Sequence, residues 1–354
     1  MNPAKNKLPP GPDRPAPRVS VCVPIYNGAI HLRECLSSIR QQTLPDFEVV
    51  LVDDGSTDAS FEIAAEFARD DSRFQVHRNA RRLGLVGNWG RCVELARAEW
   101  IKFAFQDDLL RPACLDRLLG ACQHHNKRFG FCARSFIFED GVNPSLRGWF
   151  QNHAARLSRD YQAAAVIDAG QAARIIVAEP AHNPVGEPTV TLIHKSLFHE
   201  LGGFDDAFIQ LCDSEFWQRI MVNYGAVFVP DKLAVFRIHA GATTAVNHEK
   251  RAFRMGFLDP LVLRHRYAFG RHFQALRQSA AGGQGAWALR WQCALAAARA
   301  WRQAGTDPAC LAEWQAVKAH CPSLQALARV GLVLEIPGRI KQACLQKSPA
   351  KTPK

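Results

Sequence analysis

Two adjacent carboxylates, Asp107 and Asp108, end the segment Trp100-Ile101-Lys102-Phe103-Ala104-Phe105-Gln106. The apolar part of that segment reads as a buried strand. Paired carboxylates at the end of such a strand are costly unless a positive partner neutralises them. A divalent cation is the usual partner, and carboxylate oxygens suit Mg2+ or Mn2+. The same layout occurs earlier, where Phe47-Glu48-Val49-Val50-Leu51-Val52 runs into Asp53-Asp54-Gly55-Ser56-Thr57-Asp58. Two strands that each deliver acidic residues to their carboxyl ends predict one ligand crevice in an open α/β sheet.

Periodicity gives the elements that must hold these groups. Residues 18–24 read as a first strand, and residues 30–42 as a helix with Ile30, Leu32, Leu36 and Ile39 near helical spacing. Strands follow at 47–52, 74–77 and 99–105. Helices are expected at 57–70, with Thr57 or Asp58 as N-cap, and at 84–97 after a glycine-rich loop. This alternation predicts a parallel sheet with helices on both faces. Beyond residue 110 the pattern loosens. Residues 141–188 carry Asn-Pro and Glu-Pro breaks and read as an insertion. Further strands are expected at 189–194 and 227–229. A helix at 213–222 has Phe216, Ile220 and Met221 on its apolar side. From about residue 255 the chain is rich in Ala, Leu, Arg and Trp and reads as several helices.

Composition excludes several classes. Of 354 residues, 47% are apolar and 22% charged, a globular balance. No apolar run reaches the roughly 18 residues a membrane span needs. Residues 1–17 are rich in Pro and Lys without an apolar core, which predicts a flexible leader rather than a signal peptide. The eleven cysteines form no CxxC pair and read as reduced core residues, not as a disulfide framework or zinc site. The net charge of +11 is uneven: residues 250–354 hold 17 Lys and Arg against 4 Asp and Glu. That excess favours an anionic partner such as a membrane surface; nothing else in the chain suggests a nucleic acid. A dinucleotide-binding dehydrogenase is disfavoured, because Pro24-Ile25-Tyr26-Asn27-Gly28 stands where GxGxxG would follow the first strand.

Five segments in order carry a resemblance. They are Val21-Cys22-Val23-Pro24-Ile25-Tyr26-Asn27, then 52–58, then Asn79 to Asn88, then Gln106-Asp107-Asp108. The fifth is Gly202-Gly203-Phe204-Asp205 followed by Cys212-Asp213-Ser214-Glu215-Phe216-Trp217. Together they resemble the family 2 inverting glycosyltransferases of the GT-A fold, over residues 18–245. The resemblance implies an α/β fold of GT-A type. Its central sheet is Rossmann-like and mostly parallel, with helices on both faces, and a C-terminal helical region follows. The nucleotide-binding half is expected at 18–110 and the acceptor half at 111–245. A basic helical region at 246–346 and a disordered tail at 347–354 lie beyond the resemblance.

The same resemblance implies roles. Pro24, Tyr26, Asp54 and Arg82 line the nucleotide pocket, with the Tyr26 ring stacking on the base and Asp54 accepting from a ring N–H. Arg82 faces the base or the phosphates. Asp107 is expected on the ribose, and Asp108 and His239 on Mn2+ or Mg2+. Many members carry another Asp where this chain has Phe105, so the cation would have fewer protein ligands. Asp213, opening a helix, is the expected general base, with Glu215 as a second candidate because Cys212 replaces a common acid. Arg237 is expected on the phosphates. Trp217 lines the acceptor pocket or belongs to the core. The implied reaction is inverting transfer from a nucleotide sugar, with a UDP-sugar foremost, to a glycan or lipid-linked acceptor in bacterial surface polysaccharide or lipopolysaccharide synthesis. The alternative is a degenerate nucleotide-sugar binder with a scaffolding role. The expected location is the cytoplasm, with the basic helices able to lie on the membrane face.

Overall fold

The computed structural model describes residues 16–161, 166–179, 182–239, 241–242, 246–247, 250–279 and 285–334. The expected leader (save residues 16 and 17) and the tail lie outside the described residues. The N-terminal half alternates as expected: β1 (Val19–Ile25), α1 (Ala29–Arg40), β2 (Phe47–Asp53), α2 (Ser60–Asp70), β3 (Phe74–Arg78), α3 (Gly84–Leu95) and β4 (Trp100–Phe103). Every residue of β1 and β2 is buried. Such near-continuous apolar strands belong to a parallel sheet covered on both sides. Several boundaries shift by one to three residues: α1 and α3 end at Arg40 and Leu95, β4 at Phe103, and α2 begins late. Helix α2 starts at Ser60, with Ala59 at the cap position and no side-chain cap. Asp58 instead bridges two helix starts, accepting from the amides of Ser60 and Ala29, each at 3.0 Å.

The second half continues with β5 (Leu109–Leu110), α4 (Cys114–His124), β6 (Phe129–Phe138), α5 (Pro144–Tyr161), β7 (Val166–Ile167), α6 (Ala169–Ala178), β8 (Thr191–His194), α7 (Ser196–Leu201), α8 (Cys212–Tyr224) and β9 (Ala226–Ile238). The described strands form one nine-stranded sheet in the order β3-β2-β1-β4-β8-β6-β9-β5, with β7 also on β9. Strands β1 to β4, β6 and β9 run one way, and β5, β7 and β8 the other. The expected strand at 227–229 is part of the long β9. Its register against β6 shifts between Cys132 and Arg134, and such a bulge interrupts an alternating pattern.

Two registers build the site. β9 pairs antiparallel with β5, Leu109 opposite Val235, so the residues just before β5, Asp107 and Asp108, face the end of β9. β9 also pairs parallel with β6, Phe138 beside Ile238, so Glu139 comes next to His239.

Past β9 the chain is helical: α9 (Asp259–Phe269), α10 (Gln274–Ser279), α11 (Gly285–Ala304), α12 (Pro308–His320) and α13 (Leu324–Leu334). Helices α11 and α13 approach closely because Gly331 lies against the Ala294 carbonyl and Ala298, where any Cβ would collide. The region is tied to the sheet domain by Asp259. Its buried carboxylate accepts from the amides of Ile209, Gln210 and Leu211 at 3.1, 2.8 and 3.2 Å and from Arg254 Nε at 2.9 Å. The loop so held runs directly into α8. All ten described cysteines are free thiols, nine of them buried.

Candidate active site

The ends of β1, β2 and β4 meet through side chains. Tyr26 and Gln106 exchange two hydrogen bonds, Tyr26 N to Gln106 Oε1 at 2.9 Å and Gln106 Nε2 to the Tyr26 carbonyl at 3.1 Å. Asn27, at φ 48°, takes the left-handed conformation that Asn tolerates better than most residues. Its side-chain oxygen accepts from Thr57 N at 2.8 Å. Pro24 is buried within β1 opposite Val52. It lies past Cys22, the last β1 residue paired with β4, so its missing N–H leaves no gap in that ladder.

Asp54, buried at the end of β2, accepts from Leu83 N at 2.7 Å, Gly84 N at 2.8 Å and Asn79 Nδ2 at 2.8 Å. Its carboxylate therefore caps α3 and fixes the 79–84 loop. Asn79 also reaches Asn88, whose amide donates to the Val52 carbonyl at 3.1 Å. The fixed loop carries Arg82, whose guanidinium carbon lies 3.9 Å from the centre of the Tyr26 ring. Tyr26, Asp54 and Arg82 are thus brought together.

Asp107 and Asp108 turn out unalike. Asp108 is fully buried; its carboxylate accepts from the Thr189 hydroxyl and from Arg237 N, the latter at 3.0 Å. Burial, then the charge of Asp107, pushes its carboxyl well above the usual carboxylate range. Asp108 therefore does not offer a free oxygen to a cation, which corrects the expectation for it: both oxygens already anchor the 188–190 turn and β9. Asp107 is the more accessible of the pair. Its Oδ2 lies 3.1 Å from His239 Nε2, and this hydrogen bond holds the His239 imidazole above its ordinary pKa. Arg237 is a clamp on the pair, with Nε donating to the Asp107 carbonyl at 3.0 Å. Its guanidinium already meets Glu34 at 2.5 Å and Glu139 at 3.5 Å, so any phosphate contact would be shared with these carboxylates.

Around His239 lie two groups that sequence reasoning missed. His31, in the first turn of α1, places Nε2 3.2 Å from Glu139 Oε1, and its ring centre is 5.1 Å from that of His239. His31 was legible only as one polar position of an amphipathic helix, and Glu139 only as an acid in an unread segment. Carboxylate and imidazole donors converging at one sheet edge are a chemically suitable set for a divalent cation.

Asp213 stands at the start of α8, half-buried. Its carboxylate accepts from Ser214 N at 2.6 Å. Protein packed around it, then the charge of Glu187, outweighs that hydrogen bond and pushes its carboxyl up to about 7. Glu187 also acts on Asp108, so the turn that carries Glu187 and Thr189 joins Asp213 to the Asp107–Asp108 pair. Helix α8 holds this turn by Trp217 Nε1 donating to the Gly186 carbonyl at 3.0 Å. Trp217 is fully buried, stacked on Phe129 at 5.5 Å; it is a core anchor and not part of an acceptor pocket. Glu215 is likewise corrected. It is buried in a two-pronged pair with Arg219, at 2.6 and 2.9 Å, and Arg219 in turn donates to the carbonyls of Leu201, Gly202 and Gly203. A carboxylate so engaged is not free to take a proton.

Phe105 explains its own departure from the acid expected there. It packs against Trp89, with ring centres 4.9 Å apart, in a cluster with Phe103 and Phe204. A cavity of about 440 Å3 lined by Arg134, Phe136, Leu157, Val185 and neighbours contains none of these carboxylates.

Comparison with known proteins agrees with this geometry. The model for "Glycosyl transferase family 2" matches residues 20–201. Glycosyltransferase GlyG of Streptococcus pneumoniae is 36% identical over 251 residues, which cover 63% of this chain and 72% of GlyG. Among solved structures, S. aureus TarS 1-349 in complex with UDP-GlcNAc is similar at a TM-score of 0.52 and 17% identity, over 79% of this chain and 81% of that one. The mannosyltransferase PcManGT from Pyrobaculum calidifontis, in complex with GDP-Man and Mn2+, is similar at 0.52 and 22% identity, over 91% and 87%. At those identities the two structures speak for the fold alone. The motifs, the matched family and the shared architecture agree: this chain belongs to glycosyl transferase family 2 and has the GT-A type fold.

Proposed function

We propose that the chain moves a sugar from a nucleoside diphosphate sugar to an acceptor hydroxyl with inversion, and that Asp213 is the general base. The observation that carries this reading is the placement of Asp213 at the start of α8, the helix whose Trp217 holds the turn that bonds Asp108 through Thr189; burial, which pushes its carboxyl up to about 7, supports it. A base works best when its pKa lies near the working pH. In a single displacement the acceptor oxygen bonds to the anomeric carbon as the bond from that carbon to the diphosphate oxygen breaks. The acceptor proton passes to Asp213. The nucleotide would lie on Tyr26 and Arg82, over the loop that Asp54 holds, with Asp107 within reach of the ribose or the cation. Asp107 and His239 would hold Mn2+ or Mg2+, which when bound neutralises charge on the departing diphosphate.

The donor is read as a UDP-sugar, with GDP- and dTDP-sugars as the competitors; the complexes of TarS with UDP-GlcNAc and of PcManGT with GDP-Man frame that choice. Thermal shifts with UDP, dTDP and GDP, each with and without Mn2+, rank the bases, since a bound ligand stabilises the fold it selects. Proton NMR of the product then tests inversion: the transferred sugar must carry the anomeric configuration opposite to the donor's. Retention would exclude Asp213 as the base of a single displacement.

For the acceptor we propose a glycan or lipid-linked intermediate approached at a membrane surface. No described helix is long and apolar enough to cross a membrane. The C-terminal region nevertheless exposes Phe269 and Trp287, at 42% and 63%. Trp291 packs on Trp287 at 4.9 Å, and Arg290 lies 5.7 Å from the Phe269 ring centre. Aromatic rings beside cations suit the interface of an anionic bilayer. Flotation of the full chain with phosphatidylglycerol vesicles, against pure phosphatidylcholine, should show binding to the former that Trp287→Ala with Arg290→Glu reduces. Equal flotation with both lipids would remove the idea.

A further inference from the structure

Three separate elements converge beside Asp107. The first turn of α1 gives His31, the end of β6 gives Glu139, and the end of β9 gives His239. Their nearest ligand atoms all lie within 4.8 Å of one another. Two ligands opposite each other on a cation, with bonds of about 2.1 Å, stand about 4.2 Å apart. The widest separation is thus at most about 0.6 Å beyond that of an opposed pair, and His31 and Glu139, at 3.2 Å, stand near the roughly 3.0 Å expected of adjacent ligands. The parallel register of β6 and β9 brings Glu139 next to His239, and the Glu139 amide donates to the Ile238 carbonyl at 3.1 Å. That backbone link holds Glu139 in place whether or not its side chain pairs with Arg237. Arg237 has a nearer acid in Glu34, at 2.5 Å against 3.5 Å for Glu139, so Glu139 is not needed as its counterion. All three residues are half-buried, open enough for an ion to enter and enclosed enough to hold it. Phe105, turned into its aromatic cluster, adds no ligand from β4.

We propose that His31, Glu139 and His239 are ligands of one divalent cation beside Asp107, and that the two imidazoles select Mn2+ over Mg2+. This rests on the proposed function, in which Asp107 and His239 hold the cation, and extends it. Mg2+ favours oxygen ligands and retains its waters, whereas imidazole nitrogen suits later first-row ions better. A set of one carboxylate and two imidazoles should therefore prefer Mn2+, which tolerates both donor types. The hydrogen bonds His31–Glu139 and His239–Asp107, at 3.2 and 3.1 Å, hold two of these ligands to each other and the third to Asp107.

The test uses the full chain, stripped of metal by chelation and then titrated with Mn2+ in the absence of nucleotide. Binding is followed by loss of the free Mn2+ paramagnetic resonance signal. Wild type should bind Mn2+ at least tenfold more tightly than Mg2+, the latter measured by competition. His31→Ala and Glu139→Gln should each weaken Mn2+ binding tenfold or more, and His31→Ala should also narrow the preference over Mg2+. Electron spin-echo modulation should report two directly bound nitrogens in wild type and one in His31→Ala or the milder His31→Gln. Circular dichroism and melting of each variant show whether it is folded. If folded His31→Ala and Glu139→Gln bind Mn2+ as wild type does while His239→Ala does not, the inference fails and the assignment of Asp107 and His239 stands. If wild type binds neither ion yet transfers sugar fully after chelation, both fail together.

Discussion

Asp54, after β2, and Asp213, at the start of α8, are held in contrasting ways. Asp54 accepts three hydrogen bonds from its own protein, two of them from backbone amides. Asp213, among the described residues, accepts from the side of its own helix start alone, from the amide next to it. The first carboxylate is spent on fixing a loop; the second keeps free lone pairs and a raised affinity for a proton. Ion-pairing and capping thus sort this chain's acids into scaffold and reagent more reliably than their motifs do. Glu215 and Asp108 stand with Asp54 on the scaffold side, although the motif pattern marks both as reagents.

The largest effect should come from the reagent side. Asp213→Asn removes the proposed base and should lower turnover by about 10^2- to 10^4-fold, with donor binding by thermal shift unchanged. In wild type the rate should rise with pH through about 7, because only the deprotonated carboxylate accepts a proton. Stability should move the other way. A carboxyl whose folded pKa is raised binds protons more tightly folded than unfolded, so folding weakens as pH climbs from about 4 to about 7. Asp213→Asn should therefore melt higher than wild type at about pH 8, by on the order of 2 kcal/mol, with the difference closing below about pH 4. A variant that lost activity but gained no stability at high pH would place Asp213 among the scaffold acids.

Next in size is Asp259, the scaffold acid that ties the C-terminal helices to the loop entering α8. Asp259→Asn leaves Arg254 buried without its charged partner, and breaking a buried pair in this way costs about 3–5 kcal/mol. Urea unfolding should show that loss. The remaining folded protein should be slower, because the 209–211 loop no longer fixes the start of α8. Glu215→Gln makes the sharper contrast. It should lose about 2–3 kcal/mol through Arg219, yet the folded fraction should turn over within a few-fold of wild type. A collapse of turnover in fully folded Glu215→Gln would return it to the reagents.

The half up to β4 was legible because local pattern and tertiary outcome coincide there. β1 and β2 are continuous apolar runs, and their acidic ends fall where a parallel sheet must put them. The acceptor half was less so. β6 was unread because its inner residues alternate weakly past Cys132, where the register against β9 slips. The segment read as an insertion contains Glu187 and runs up to Thr189, whose importance comes from what α8 and Asp108 do with that turn, not from its composition. His31 and Glu139 lie 108 positions apart in the chain, one in α1 and the other at the end of β6, and meet only in the folded structure. Asp107 and Asp108 are adjacent and chemically identical, so no sequence signal could say which one β9 would cover.

The smallest expected effect sharpens the comparison from the donor side. Arg82 stacks on Tyr26 at an exposed position, where a cation–π contact is worth about 0.5–1 kcal/mol. If this pair only receives the nucleotide, its contribution is equal in the ground state and the transition state. Arg82→Ala should then raise KM for the donor by about two- to fivefold and leave kcat alone. Arg82→Lys should recover little, since an ammonium lacks the planar face that lies over the ring. A fall in kcat with KM unchanged would mean that Arg82 reaches the diphosphate as charge develops, and the nucleotide half would then hold a reagent of its own.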